Sequence, residues 1–215
     1  MDRDVWIREL LQQKIVVICR NIPLSQIEDT AVALFCGGIR FLEITFNQQE
    51  SPVLTGQAIQ KVRERLGQEI HVGAGTVFSK EQVDTAISAG AEFLLSPHVD
   101  RKLITYTKEK DCISIPGAFT PSEIAESWKA GADIVKLFPA GILGEGYVKT
   151  VRAPINQIPL MAVGGIHEGN MTSFMEAGVE CFGIGSHITD AGIIRERKYL
   201  ELEERAKAYI KQINK

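Results

Sequence analysis

Two ionisable residues interrupt runs that are otherwise apolar: Glu43 in FLEITF (41–46) and Lys136 in IVKLFP (134–139). Side chains alternate along an extended chain, so Glu43 shares a face with Phe41 and Thr45, and Lys136 with Ile134 and Phe138. A buried unpaired charge costs several kcal/mol, so a lone lysine in a core strand needs a reason. One reason is a structural Glu43–Lys136 ion pair. The other is chemical: desolvation among apolar side chains lowers a lysine pKa and leaves a neutral amine that attacks a carbonyl carbon. A nearby carboxylate then shuttles protons for carbinolamine formation and for Cα deprotonation. That carboxylate opposes the lowering, so the chemistry requires burial to dominate.

Gly164-Gly165 and Gly185-Ser186 form a second constellation, each pair ending an apolar run. Bare backbone N–H groups in such loops hold phosphate, with a short helix N-terminus behind them, although glycine also serves simply to turn the chain. Thr76, in GAGTV, closes another run and offers a hydroxyl to a substrate carboxylate or to neighbouring backbone. Arg20 ends the first run, where a guanidinium suits bidentate anion recognition or is an ordinary surface charge. The four histidines, 71, 98, 167 and 187, show no H-x-x-H or H-E-x-x-H spacing, which disfavours a metal-dependent mechanism. His98 follows Pro97 at the end of a run and either lines the site or is structural.

The elements that must position these groups are eight β-rich runs: 15–20, 41–46, 71–77, 93–97, 112–117, 134–139, 159–165 and 181–186. They recur at about one strand-plus-helix unit. Thr120-Pro121-Ser122-Glu123 reads as a capping box with Pro at the first helical position, and Ser79-Lys80-Glu81-Gln82 as another. Gly38, Gly90, Gly131 and Gly178 each stand where a helix gives way to a strand, supplying the left-handed C′ conformation. Alternating strands and helices imply a parallel sheet covered on both faces. A (β/α)₈ TIM barrel fits the count; the alternative, an open doubly wound sheet, lacks a G-x-G-x-x-G after its first strand. Catalytic groups of a barrel sit at the C-terminal ends of its strands.

Residues 1–215 are expected to form one domain. The N-terminal MDRDVWIRELLQQK is no signal peptide; Trp6, Ile7, Leu10 and Leu11 recur at helical spacing and predict an extra helix packed on the barrel. Net charge −3 and a pI near 5.9 argue against nucleic-acid and anionic-membrane binding. No apolar run approaches the roughly 20 residues that span a bilayer. Cys19, Cys36, Cys112 and Cys181 have neither C-x-x-C spacing nor a disulfide framework and read as inert core thiols of a cytoplasmic protein.

From about residue 14 to 210 the chain resembles the 2-keto-3-deoxy-6-phosphogluconate (KDPG)/4-hydroxy-2-oxoglutarate (KHG) aldolases, carrying GGIRFLEIT, GAGTV, SP, IPG, VKLFPA, VGGI and GIGS in order. The resemblance implies a class I, pyruvate-dependent aldolase that needs no metal or other cofactor and is commonly a homotrimer. It implies Lys136 as the Schiff-base lysine and Glu43 as general acid/base. Thr76 would lie near the pyruvyl carboxylate, Pro97 and Phe138 would line the pocket, and Gly164, Gly165, Gly185 and Ser186 would bind phosphate. Asn47 stands where many gluconate-type members carry Arg, and Val163 where they carry Thr. With Arg20, these look like the 2-dehydro-3-deoxy-6-phosphogalactonate branch, whose substrate differs at C4. ITF and SPH look more like the gluconate-type group. The implied substrates are a phosphorylated keto-sugar acid and pyruvate, with the gluconate/hydroxyglutarate assignment first and the galactonate assignment second. Rival expectations are a barrel epimerase or synthase that forms no imine, and a non-catalytic phosphosugar-binding barrel.

Overall fold

The computed structural model describes residues 2–213. Asp2 opens the first helix, α1 (Arg3–Gln13), by accepting the N–H groups of Asp4 and Val5, and Lys14 closes it in the left-handed conformation. Strand β1 (Ile15–Cys19) follows at once. The chain then alternates: α2 (Ile27–Cys36), β2 (Phe41–Thr45), α3 (Pro52–Leu66), β3 (His71–Gly75), α4 (Lys80–Ser88), β4 (Phe93–Leu95) and α5 (Arg101–Glu109). Next come β5 (Ile113–Ile115), β6 (Gly117–Ala118), α6 (Pro121–Lys129), β7 (Val135–Leu137), α7 (Ala140–Arg152), β8 (Leu160–Val163) and α8 (Glu168–Glu176). The last unit is β9 (Cys181–Ile184), α9 (Ala191–Arg195) and α10 (Tyr199–Ile213).

All pairings are parallel, in the order β5-β4-β3-β2-β1-β9-β8-β7-β6. The fifth apolar run is two strands rather than one, because Pro116 brings no N–H to the ladder and divides it. The chain passes directly from β5 to β6, and backbone bonds close the ring there: Asp133 N–H to Ser114 O at 2.9 Å and Lys136 N–H to Pro116 O at 2.9 Å. The result is a (β/α)₈ TIM barrel with an extra N-terminal helix, as the run count predicts.

Strand parity divides the core into two layers. Leu42, Ile44, Val72, Leu137 and Phe182 face outward under the helices. Val16, Ile18, Phe41, Phe93, Ile134, Met161 and Val163 fill the interior, and Trp6 and Leu10 of α1 plug its lower end. The Trp6 ring meets Phe41 edge-on at 5.3 Å and Phe93 at 5.1 Å. Polar ties hold the plug: the buried Asp133 carboxylate takes Arg3, Lys108 and the Ser114 N–H, and the His71 ring sits between Glu9 and Glu92.

The left-handed φ values of Gly38, Gly90, Gly131 and Gly178 (+95°, +96°, +103° and +103°) match their reading as C′ residues. Thr120 and Glu123 form the reciprocal capping box. Ser79 does not. Its hydroxyl accepts the Gln82 N–H, but the Gln82 side chain turns to the N–H of Phe78 instead. The cysteines also divide: Cys19, Cys112 and Cys181 are buried, while Cys36 is exposed at the end of α2. Burial pushes the Cys19 and Cys112 thiols up to about 12, which leaves them inert at neutral pH.

Candidate active site

Phe41 and Ile134 belong to the interior layer, so their parity partners Glu43 and Lys136 project inside the barrel. Lys136 is 4% exposed and Glu43 fully buried. Among the described residues no carboxylate comes within ion-pairing distance of the Lys136 amine, so the two form no direct structural ion pair. Both Glu43 carboxylate oxygens are buried without a hydrogen-bond partner. Gly75 explains how the carboxylate fits: a Cβ there would lie 1.6 Å from Glu43 Oε1. Only a residue without a side chain lets the carboxylate cross β3.

Burial sets the electrostatics of the pair. It raises the Glu43 carboxyl pKa, against the opposing pull of Lys136 and then Arg20. It lowers the Lys136 pKa, opposed by Glu43 and reinforced by Arg20. Both shifts favour the neutral forms, a free amine beside a protonated acid. Such a pair is equipped for carbonyl attack and proton delivery.

The Phe138 ring lies close to both the amine and the glycine loop after β8. The Lys136 Nζ lies 5.0 Å from its ring centroid. A Cβ at Gly164 would lie 3.2 Å from the same ring. Gly164 and Gly165 have φ +86° and +76°, which bend the loop back against α7, and Gly164 O accepts the Gly141 N–H at 2.7 Å. Asn170 ties the Gly165 carbonyl at 2.8 Å. After the neighbouring strand β9, the Thr189 hydroxyl donates to Ile18 O at 2.8 Å and fastens the loop that carries Gly185 and Ser186. None of the N–H groups of Gly164, Gly165, Gly185 and Ser186 donates to another described residue.

At the same C-terminal rim, after β1 and β3, Arg20 Nη2 donates to Thr76 Oγ1 at 3.3 Å, so Arg20 is engaged rather than an isolated surface charge. Thr76 has φ +60°. That conformation costs a β-branched residue about 1–3 kcal/mol and concentrates at functional sites. Pro97 abuts β6, where a Cβ on Gly117 would lie 2.5 Å from the Pro97 carbonyl carbon; Gly117 is in register with Lys136. His98 stacks on Phe78 with centroids 4.8 Å apart. Val163 is buried at the end of β8, its side chain packed over Gly183.

Asn47 is placed differently. Its Oδ1 accepts the Gln49 N–H at 3.1 Å, and it lines a cavity of about 400 Å³ with Asn21, Ile22, Leu24 and Glu50 behind β1 and β2. Among the described residues it makes no hydrogen bond to Lys136, Glu43, Thr76 or Arg20. Two glutamines instead reach the Thr76 segment: Gln48, which no residue pattern singled out, and Gln82, which its sequence position placed only in a capping box.

A parallel barrel with a buried amine and a buried carboxyl inside it, and glycine loops after its last two strands, is the arrangement of a carbonyl-processing barrel enzyme. The family model described as KDPG and KHG aldolase matches residues 7–204, and the chain belongs to that family. It is an aldolase, a carbon–carbon lyase. The 2-dehydro-3-deoxy-6-phosphogalactonate aldolase of Escherichia coli (strain K12) is 28% identical over 91% of this chain and 94% of its own. The KHG/KDPG aldolase of the same organism is 32% identical over 79% of this chain and 78% of its own. Among solved structures, KDPG aldolase from Legionella pneumophila, with pyruvate captured at low pH as a covalent carbinolamine intermediate, superposes with a TM-score of 0.81. That match has 27% identity and covers 91% of this chain and 93% of the other. Among the described residues no helix is long and apolar enough to cross a membrane.

Proposed function

We propose that this aldolase cleaves 2-dehydro-3-deoxy-6-phosphogluconate to pyruvate and glyceraldehyde 3-phosphate through a Schiff base on Lys136, and takes 4-hydroxy-2-oxoglutarate as a second substrate. The observation that carries the proposal is the Lys136–Glu43 pair: both are buried in the barrel interior, both are shifted toward neutrality, and they are not locked in an ion pair. The carbinolamine in the Legionella relative supports the same chemistry by family membership.

In this mechanism the neutral Lys136 amine adds to the C2 ketone, and the carbinolamine loses water to an iminium. Removal of the C4 hydroxyl proton lets the C3–C4 electron pair flow into the iminium, which releases the aldehyde and leaves an enamine. Protonation at C3 and hydrolysis of the imine return pyruvate and the free amine. Glu43 supplies the acid for dehydration and the base for the C4 hydroxyl. Arg20 and Thr76 receive the keto-acid carboxylate, Pro97 and Phe138 wall the reacting carbons, and Gly164, Gly165, Gly185 and Ser186 hold the phosphate.

Val163 favours a second reading, the C4-epimeric 2-dehydro-3-deoxy-6-phosphogalactonate, because an apolar side chain at the end of β8 offers that stereocentre no hydrogen bond. Asn47 belongs to the same reading. The family resemblance also supports a cytoplasmic homotrimer, which light scattering on the purified protein checks. The decisive experiment is incubation with pyruvate and borohydride followed by peptide mass spectrometry. An adduct on Lys136 is expected; no adduct, or one on another lysine, rejects the mechanism, as it would for an epimerase, a synthase or a silent binding barrel. Coupled assays with the two epimers then assign the sugar acid.

A further inference from the structure

The left-handed Thr76 is pinned on three sides. Gln48 Nε2 donates to the Thr76 carbonyl at 2.8 Å, the Val77 N–H donates to Leu95 O at 3.1 Å, and the Phe78 N–H donates to Gln82 Oε1 at 2.7 Å. The two glutamines are joined, since Gln82 Nε2 donates to Gln48 Oε1 at 3.0 Å. Gln82 is buried and its own N–H is capped by Ser79, so the anchor is rigid, while Gln48 is exposed and reaches in from the β2 side. Position 48 needs one group that donates to a carbonyl and accepts from an amide. A glutamine does both; an isosteric carboxylate cannot donate.

We propose that Gln48, anchored by Gln82, is a positioning residue of the carboxylate subsite: it holds the Thr76 backbone in its left-handed form so that the hydroxyl stays aligned with Arg20. A strained conformation persists only where its surroundings over-determine it, and this clamp supplies that determination. The inference rests on the proposed reading of Thr76 and Arg20 as the carboxylate-binding pair. Gln48 and Gln82 touch no substrate atom in this scheme; they act through Thr76.

The test measures the pyruvate concentration that half-saturates borohydride trapping on Lys136, with the melting temperature alongside, in full-length wild type, Gln48→Ala, Gln48→Glu, Thr76→Gly and the Thr76→Gly/Gln48→Ala double variant. Gln48→Ala is expected to raise half-saturation roughly five- to ten-fold, the loss of about one hydrogen bond, with the trapping rate at saturation little changed. Gln48→Glu is expected to be at least as poor despite its shape. Glycine at 76 adopts the left-handed form unaided, so Gln48→Ala should add nothing in that background. Unchanged half-saturation in Gln48→Ala, wild-type behaviour of Gln48→Glu, or the same penalty in the Thr76→Gly background overturns the clamp while leaving the aldolase mechanism standing. Absence of any wild-type adduct overturns both.

Discussion

The Glu43 carboxylate lies across Gly75 so closely that a methyl group at position 75 would stand 1.6 Å from Oε1. The GAG of β3 is therefore a condition on the position of the acid, not only a feature of strand packing. Gly75→Ala is expected to displace Glu43 and to lose activity by about 10²–10⁴-fold, the range for removing a general acid–base group. Overpacking adds about 1–3 kcal/mol of destabilisation. Turnover in a coupled aldehyde assay and thermal melts check both, with Glu43→Gln as the reference for lost acid–base function. Near-normal turnover in Gly75→Ala would mean that Glu43 can work from another position.

Lys136 is buried with no ion-pair partner among the described residues; its amine lies 5.0 Å from the Phe138 ring centroid, and Glu43 and Arg20 act on it without an ion-pair contact. Lys136→Met is expected to abolish turnover and borohydride trapping while leaving the melting temperature unchanged or higher, because an apolar chain of similar length removes a desolvated amine. A structural lysine gives the opposite pattern, a marked loss of stability on substitution. Calorimetry and trapping on the same preparation separate the two.

How much of this was legible in the sequence depends on whether the signal lay in residue type or in backbone path. Glu43 and Lys136 stood out because charge is rare in a buried strand, and period-two alternation assigned them the correct face. The Pro116 break was present in the sequence as a proline inside an apolar run, yet composition alone does not say which strand each half joins. Gln82 fits a capping box equally well by type. What diverts its side chain to the Phe78 N–H is the left-handed turn at Thr76, which no residue pattern announces. Cys36 sits among apolar neighbours in sequence, but the last turn of α2 points it to solvent. Asn47 carries a side chain suited to substrate, and a two-residue bond to Gln49 spends its carbonyl locally.

Arg20 couples to both members of the buried pair, and its charge lowers the pKa of Lys136 and of Glu43. Arg20→Gln removes that effect, so both pKa values rise. Imine formation needs the free amine and dehydration needs the protonated acid. The low-pH limb of activity, set by Lys136, and the high-pH limb, set by Glu43, are therefore both expected to move to higher pH. Arg20 is exposed, so in wild type its influence weakens with salt, and the profiles of wild type and variant should converge at high ionic strength. A pH–rate profile that stays fixed on substitution refutes the coupling.

At the other end of the barrel, His71 is held between carboxylates of α1 and the Glu92 position. Burial alone would lower its pKa, but the hydrogen bonds and charges of Glu92 and then Glu9 raise it above the ordinary 6.5. A folded-state pKa above the unfolded value means stability that is fully present below pH 6.5 and fades as pH rises through the folded pKa. His71→Gln is expected to lower the melting temperature most in mildly acidic buffer and least in alkaline buffer. A loss independent of pH would show that the ring contributes only through packing on Phe41.

Val163 ends β8 one residue before the glycine loop, and its branched side chain packs over Gly183, where a Cβ would come within 2.8 Å of its Cγ2. Threonine has nearly the same shape, so Val163→Thr is expected to fold normally and to present a hydroxyl where a methyl now stands. Burying that hydroxyl is unfavourable unless it finds a partner, so it should gain only with the substrate whose C4 hydroxyl can reach it. The expected result is a shift of about ten-fold in the ratio of kcat/KM for the gluconate over the galactonate epimer, equivalent to about 1.4 kcal/mol. The two coupled assays on wild type and variant measure that ratio directly. Equal changes for both epimers would place the C4 hydroxyl out of reach of position 163 and shift attention to Asn47 and the cavity it lines.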